Sequence, residues 1–144
     1  MILRELLLSD FYKGYFSLLK QLSVVNYDTF NDFKPTWYKY AQNNHHFIYV
    51  IEDNNKIIGS GTIILEPKFI RDGTFVGHIE DIVIDENYRN KKLSSMIVKK
   101  LKQVGFEHNC HRITLNCTEY NSKYYLTRGF KKSTLCMRID KRDF

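Results

Sequence analysis

Two long runs of β-branched and aromatic residues, separated by a polar turn, constrain the fold of this chain more than any other feature. The runs are HFIYVIED (46–53) and KIIGSGTIILEP (56–67), and the turn between them is Asp53-Asn54-Asn55-Lys56. Such runs around an Asn-containing turn are typical of a β-hairpin. The sequence therefore predicts a pair of antiparallel strands in the middle of the chain.

The segments around this hairpin alternate between helical and strand patterns. Apolar residues at helical spacing predict helices over 10–22 and 29–42 before it, and another from Leu93 to near Gly105 after it. The complete predicted order is a strand over 1–5, the first two helices, strands over 46–53, 56–67 and 74–85, the third helix, a strand over 112–117, a helix over 119–129 and a last strand over 130–139. The third helix has one apolar face, formed by Leu93, Met96, Ile97, Leu101 and Val104. This order predicts an α/β domain with a mixed sheet.

Length and composition predict one soluble domain over 1–144. The chain is 43% hydrophobic and 15% aromatic, which is ample material for a core. Cys110, Cys117 and Cys136 include no C-x-x-C pair, so neither a disulfide framework nor a zinc site is expected, and the last two should be buried in strands. No apolar run approaches the length of a membrane span. We expect a cytoplasmic protein without membrane contact.

The net charge of +6 suits several kinds of partner, namely nucleic acid, a membrane surface or a small phosphorylated ligand. A nucleic-acid-binding module would interleave exposed aromatic residues with the basic ones, but most aromatic residues here occupy positions typical of a core. No metal site is expected, because the histidines lack ligand spacing on any one element. The histidines are His45, His46, His78, His108 and His111.

Three segments carry a family resemblance when they are taken together in this order. They are GHIEDIVIDENYRNKKLSSMIV (77–98), HRITLNC (111–117) and NSKYYLTRGF (121–130). They resemble the Gcn5-related N-acetyltransferases and, within that superfamily, the eukaryotic glucosamine-6-phosphate N-acetyltransferases. The resemblance is strong from about Lys68 to Phe130 and weaker but collinear before Lys68.

This resemblance implies a fold, a reaction and an assembly. The fold is the acyl-CoA N-acyltransferase fold (α+β), a mostly antiparallel twisted sheet flanked by helices. The reaction transfers acetyl from acetyl-CoA to the amine of D-glucosamine 6-phosphate, without a metal, on the route to UDP-N-acetylglucosamine. The assembly is a homodimer in which the C-terminal strand joins a shared sheet and contributes to a neighbour's active site.

The loop DENYRNKKLSSMIV (85–98) corresponds to the family's pyrophosphate loop, Arg/Gln-x-x-Gly-x-Gly/Ala at the start of a helix. Arg89 fills the first position, but Lys92 and Ser94 stand where the glycines would be. Without the flanking motifs this is only a basic loop; in context, Lys91 and Lys92 are expected to supply charge that offsets weaker backbone contacts. The resemblance implies coenzyme contacts from Ile82, Val83, Ile84, Arg89, Asn90, Lys91, Lys92, Leu93, Ser94, Ser95, Asn121 and Tyr125.

The strand HIEDIVI (78–84) carries two adjacent carboxylates, Glu80 and Asp81. Strict alternation predicts Asp81 on one face with Ile79 and Val83, and Glu80 on the other with Ile82 and Ile84. In isolation this pattern also fits an edge strand with solvated acids. The resemblance implies instead that both acids line the sugar site and help the amine to lose its proton, while the strand backbone polarises the thioester carbonyl.

Two further residues have roles that the resemblance implies. Tyr125 matches a tyrosine near the thioester sulfur, which protonates the departing thiolate; from the residues alone it could equally be a packed aromatic of a short helix. Asn116 stands where close relatives carry a carboxylate. Since an amide cannot accept a proton as a base, proton removal would fall to Glu80, Asp81 and water.

Basic residues near the third and fifth strands are the candidates for holding the sugar phosphate. Arg71 and Arg112 suit bidentate phosphate binding, although any one of these residues taken alone could be a surface charge. The resemblance implies that Lys68, Arg71, His111 and Arg112 contact the substrate and that Ser23 lies where the family binds a sugar hydroxyl. An alternative is an acetyltransferase that acts on another amine, such as a protein N-terminus or a polyamine. A polyamine enzyme should present acids around its acceptor site, whereas this cluster favours an anionic acceptor.

Overall fold

The computed structural model describes residues 1–89 and 91–143. Within them the strands form one five-stranded sheet in the order of the chain, β1-β2-β3-β4-β5. The first four strands pair antiparallel, and the last runs parallel to its neighbour. The strands are β1 (Ile2–Glu5), β2 (His46–Asp53), β3 (Lys56–Pro67), β4 (Phe75–Ile84) and β5 (Cys110–Leu115). The predicted hairpin and mixed sheet are confirmed.

The helices lie close to their predicted positions, with one interruption. The predicted helix over 10–22 is split into a 3-10 helix, Leu8–Lys13, and a short α1, Tyr15–Leu19. Gly14 causes the break, because its φ of 80° is left-handed and ends the first segment. The other helices are α2 (Phe30–Ala41), α3 (Leu93–Glu107) and α4 (Glu119–Leu126). Of the helices in the described ranges, none is long and apolar enough to cross a membrane.

The predicted last strand is wrong. Residues 131–140 form neither helix nor strand, although their apolar side chains alternate as a strand would require. Leu135, Met137 and Ile139 are all largely exposed. A strand needs a neighbouring backbone to satisfy its N–H and C=O groups, and within the described chain this segment pairs with none. Cys136 is therefore exposed, and so is Cys117, which lies beyond the end of β5.

The core has two layers, one on each face of the sheet. On one face α3 packs its buried residues against the centre of β3, and the glycines there allow a close approach. A Cβ added at Gly61 would lie 2.5 Å from Ile97 Cγ2. On the other face, an aromatic cluster around Phe16 and Phe33 covers Val50 and Val83. Met96, predicted on the core face of α3, is instead 42% exposed.

Candidate active site

A β-bulge in β4 brings both carboxylates to the surface. The pairing of β3 with β4 shifts between Ser60 and Thr62, opposite the point where Asp81 adopts a left-handed backbone with φ 52°. The extra residue breaks the alternation of side chains. Glu80 and Asp81 are therefore both exposed at consecutive positions.

The bulge also reassigns the apolar residues of β4. Ile79, Ile82 and Ile84 all pack in the cluster that contains α3, whereas Val83 packs in the cluster on the opposite face. The prediction that Ile79 shares a face with Val83 is thus wrong, because Ile79 packs with Ile82 and Ile84. Bulges are common beside active sites because they redirect side chains.

A cleft of about 450 Å³ opens where β4 ends, between the segment that follows α1, the start of α3 and α4. We call it the coenzyme cleft. Its lining includes seven of the residues predicted from the sequence, and three that sequence reasoning missed. The predicted ones are Ile82, Val83, Ile84, Arg89, Ser94, Asn121 and Tyr125, and the missed ones are Gln21, Leu22 and Tyr124.

The missed residues gave weak signals in the sequence. Leu22 was predicted as the last residue of the helix over 10–22, but α1 ends at Leu19, and Leu22 is 44% exposed in the cleft. Gln21 accepts a hydrogen bond through Oε1 from the Glu86 N–H at 3.0 Å, which ties this segment to the loop after β4. Tyr124 could have been suspected from its position beside Tyr125.

The loop that enters α3 keeps a glycine-like backbone without glycine. Lys92, the residue before α3, has φ 59° and ψ 15°, the left-handed conformation that glycine adopts most readily. Its carbonyl accepts the first helical bonds, from the N–H groups of Ser95 at 3.1 Å and Met96 at 3.3 Å. The N–H groups of Leu93 and Ser94 precede these bonds and so have no acceptor within the helix. Such N–H groups at a helix start favour an anion.

The predicted loop residues differ in where their side chains point. Lys91 places Nζ 4.8 Å from the centroid of the Tyr88 ring, a cation–π contact. Leu93 is buried in the core, so only its backbone could serve a ligand. Ser95 is held by Arg128 through hydrogen bonds to its Oγ. Asn90 lies outside the described residues.

Hydrogen bonds to the carboxylate of Asp85 fix the start of this loop. This buried carboxylate accepts hydrogen bonds from Lys56 Nζ at 2.7 Å and from the Asn87 N–H at 3.0 Å. The hydrogen bond from Lys56 is the main reason why the pKa of Asp85 lies below its usual value. The carboxylate is therefore charged at neutral pH and fixes the path of the chain from β4 to α3.

Tyr125 faces the cleft from α4 and is half-buried. Burial is the main cause that raises the pKa of its phenol, and the neighbouring Tyr124 adds to the effect. Its ring meets those of Tyr124 and Phe130 edge-to-face, with centroids 5.0 Å and 5.8 Å apart. At neutral pH the phenol is protonated, so it can donate a hydrogen bond or a proton.

The predicted phosphate ligands form a separate cluster at the opposite end of β4. His111 Nδ1 lies 2.9 Å from Thr74 Oγ1, and the imidazole pKa is lowered by burial and then by the charges of Arg71 and Arg112. His111 Nε2 is buried and has no hydrogen-bond partner among the described residues. Lys68 adds a further positive charge here and forms an ion pair with Glu66. We call Lys68, Arg71, His111 and Arg112 the basic cluster.

A single chain does not bring the basic cluster into the coenzyme cleft. The cluster adjoins Phe75, which pairs with Cys110, whereas the cleft begins at Ile82. Seven residues of extended strand span about 23 Å. The carboxylates of the bulge lie between the two. Asn116 is exposed just beyond β5, and Ser23 is exposed directly after Leu22.

The sequence of this chain matches a family model described as the acetyltransferase (GNAT) family over residues 3–130. The chain belongs to this GNAT acetyltransferase family. It is 38% identical to glucosamine 6-phosphate N-acetyltransferase 1 of Dictyostelium discoideum, over 94% of this chain and 88% of that protein. It is 32% identical to glucosamine 6-phosphate N-acetyltransferase of Arabidopsis thaliana, over 94% and 93%.

The fold agrees with this membership. The crystal structure of the Arabidopsis thaliana glucosamine-6-phosphate N-acetyltransferase superposes with a TM-score of 0.92, covering 97% of each chain at 31% identity. As a GNAT acetyltransferase, this chain has a site that must hold a thioester beside an amine. Among the residues that the structure describes, no three His, Cys, Asp or Glu side chains form a group that could hold a metal ion.

Proposed function

We propose that this chain transfers the acetyl group of acetyl-CoA to the amine of D-glucosamine 6-phosphate. The observation that carries the proposal is the coenzyme cleft, where the end of β4, the start of α3 and Tyr125 converge beside two exposed carboxylates. The substrate is favoured by relatives of that name at 38% and 32% identity, each matched over most of its length. The product is N-acetyl-D-glucosamine 6-phosphate, a precursor for UDP-N-acetylglucosamine.

Glu80 and Asp81, the two carboxylates at the β-bulge of β4, bind the amine and promote the loss of its proton. An amino sugar arrives mostly as ammonium, which Glu80 and Asp81 attract and deprotonate through water. Asn116 can orient a group by hydrogen bonding but cannot accept the proton. The neutral nitrogen then attacks the acetyl carbonyl, so that a C–N bond forms as the C–S bond breaks.

Groups of β4 and α4 act on the thioester of acetyl-CoA. Backbone N–H groups of the Ile82–Ile84 segment stabilise the charge that develops on the carbonyl oxygen. Tyr125 gives its proton to the departing thiolate, which leaves as the free thiol of CoA. Direct attack needs no nucleophile from the protein, which agrees with the exposed positions of Cys117 and Cys136 outside the cleft.

The distance between the basic cluster and the coenzyme cleft favours a homodimer over a single chain. A single phosphosugar cannot span the distance of about 23 Å between the coenzyme cleft and the start of β4. We therefore propose a homodimer in which one copy supplies its basic cluster to the other's acceptor site. The exposed alternating residues Leu135, Met137 and Ile139 give the second copy an apolar segment to cover.

A thiol-release assay tests the substrate. The release of free CoA from acetyl-CoA is measured with glucosamine 6-phosphate, glucosamine and spermidine in turn as the acceptor. We propose that the protein carries out this reaction in the cytoplasm. We expect the phosphorylated sugar to release CoA at least tenfold faster than glucosamine, because a bidentate Arg–phosphate contact is charge-assisted. Equal rates for both sugars would reject the phosphosugar, and a preference for spermidine would favour a polyamine enzyme.

Subunit mixing tests the shared site. One variant, Tyr125→Phe, lacks the proposed acid, and another, Arg71→Ala with Arg112→Ala, lacks the proposed phosphate contacts. If copies share sites, an equimolar mixture of the two variants should regain up to about a quarter of wild-type activity, because about half of its dimers are mixed and each mixed dimer has one intact site of two. A monomer by light scattering, or no recovery on mixing, would reject the shared site.

A further inference from the structure

α4 carries three of the residues that line the coenzyme cleft, Asn121, Tyr124 and Tyr125, yet none of its residues is buried. Apolar packing therefore contributes little to its position, apart from Phe130, which follows the helix and packs on the core. Its remaining ties to α3 are polar. Two of them run through Tyr124 and Arg128 to Ser94 and Ser95, the first serines of α3, and a third is the hydrogen bond that Lys102 of α3 donates from Nζ to the Arg128 carbonyl at 2.7 Å.

These polar ties form a chain of hydrogen-bond donors. Arg128 donates from Nε at 3.0 Å and from Nη2 at 2.6 Å to Ser95 Oγ. Ser95 Oγ lies 3.5 Å from Tyr124 Oη, and Tyr124 Oη donates to Ser94 Oγ at 2.7 Å. Arg128 also places Cζ 3.3 Å from the centroid of the Tyr124 ring and donates from Nη1 to the Tyr124 carbonyl at 2.8 Å. The guanidinium thus fixes the position of the tyrosine that contacts Ser94.

The direction of this chain determines what Ser94 can do. Ser95 accepts two bonds from Arg128, so its hydrogen is left for Tyr124, whose own hydrogen goes to Ser94. A serine hydroxyl has one hydrogen and two acceptor positions. An acceptor position of Ser94 is filled by Tyr124, and Ser94 lines the cleft, so its hydrogen can be directed to a ligand there.

We propose that the chain from Arg128 through Ser95 and Tyr124 orients the Ser94 hydroxyl as a donor to the coenzyme pyrophosphate. Ser94 would thereby add a side-chain contact in a loop that has no glycine. Tyr124 and Arg128 are positioning residues, since they act through Ser94. This inference rests on acetyl-CoA being the coenzyme, but it does not depend on which amine accepts the acetyl group.

Calorimetric titration with CoA, and separately with pantetheine, which lacks the pyrophosphate, tests the proposal. Ser94→Ala should weaken CoA binding about tenfold or more, because a hydrogen bond to a charged group is lost. Tyr124→Phe keeps the ring beneath Arg128 but removes the donor, and should weaken CoA binding about threefold to tenfold. The double variant should bind CoA no more weakly than Ser94→Ala alone, and pantetheine should bind equally to all.

Lys132→Gln is the matched control, because it removes an exposed ion pair with Glu119 of α4 that does not reach α3. It should leave CoA affinity unchanged, and the melting temperatures of all variants should match that of the wild type. Multiplicative effects of Ser94→Ala and Tyr124→Phe, or an equal loss of pantetheine binding, would overturn the proposal. A wild type that does not bind CoA would overturn the coenzyme as well, whereas CoA binding as expected without acetylation of glucosamine 6-phosphate would reject only the substrate.

Discussion

The two helices that flank the coenzyme cleft are held in place by different forces. α3 buries six of its residues in the core, whereas α4 buries none and is tied down by hydrogen bonds and by Phe130. Burial of apolar side chains supplies most of the stability of a fold, while polar contacts set direction. Substitutions in the apolar face of α3 should therefore change stability, and substitutions in α4 should change catalysis.

The largest effect is expected from Ile97→Ala in α3. Ile97 is fully buried, and it contacts the glycines of β3 where the helix lies closest to the sheet. Truncation should lower the free energy of unfolding by about 2–5 kcal/mol, through lost burial and the cavity that remains. Urea denaturation measures this value.

The same variant should keep its turnover number. Assayed at a low temperature where it is folded, it should retain kcat within about twofold, because small core changes away from the reacting groups act mainly on stability. Exposed Met96 of the same helix provides the control, since Met96→Ala should cost far less stability. A large fall in kcat for folded Ile97→Ala would contradict the separation of the two helices.

The second effect is expected from Tyr125→Phe in α4. The phenol is the proposed acid for the departing thiolate, so its loss should lower kcat about a hundredfold. The affinity for CoA and the unfolding free energy should change little, because the residue is only half-buried and the ring remains. An unchanged kcat would remove the acid role from Tyr125.

The pH dependence sharpens this test. Because burial raises the pKa of Tyr125, the phenol keeps its proton up to a higher pH than an exposed tyrosine does. The alkaline fall of kcat in the wild type should therefore begin above the ordinary tyrosine range and should be absent in Tyr125→Phe. An alkaline fall that persists unchanged in the variant would assign that ionisation to another group.

The sequence predicted the parts of this molecule whose structure follows from local patterns. The hairpin followed from its turn and its β-branched runs, and α3 followed from its apolar spacing. The bulge at Asp81 could not be predicted, because its left-handed backbone is imposed by pairing with β3 and no local pattern marks it. The strand predicted over 130–139 failed for a related reason, since an alternating pattern cannot supply a pairing partner. Strand pairing is a property of the tertiary structure.

A smaller effect is expected from Asp85→Asn in the loop before α3. Because the pKa of Asp85 is lowered in the folded state, its charged form stabilises the fold at neutral pH. The variant should lose about 1.5 kcal/mol of unfolding free energy at pH 7, where the bond from Lys56 is charge-assisted. The difference from the wild type should be constant above the unfolded-state pKa and should shrink as the pH falls below about 4.

Unfolding curves at several pH values measure this difference. Glu119→Gln breaks an exposed ion pair with Lys132 and serves as the control, with little change at any pH. A difference between Asp85→Asn and the wild type that stays the same down to pH 2 would show that the charge of Asp85 is not what stabilises the loop.

The smallest effect is expected from Lys92→Gly. This variant keeps the left-handed backbone at position 92 but removes the positive charge of the side chain. Because Lys92 holds a left-handed φ of 59°, glycine should raise the unfolding free energy by about 1 kcal/mol. If the ammonium also attracts the pyrophosphate, the variant should bind CoA more weakly at low salt, and its affinity should fall less steeply as salt is added. Lys99→Gln removes an exposed charge further along α3 and should change neither quantity. A CoA affinity of Lys92→Gly equal to that of the wild type at every salt concentration would mean that Lys92 serves the loop through its backbone alone, as a glycine would.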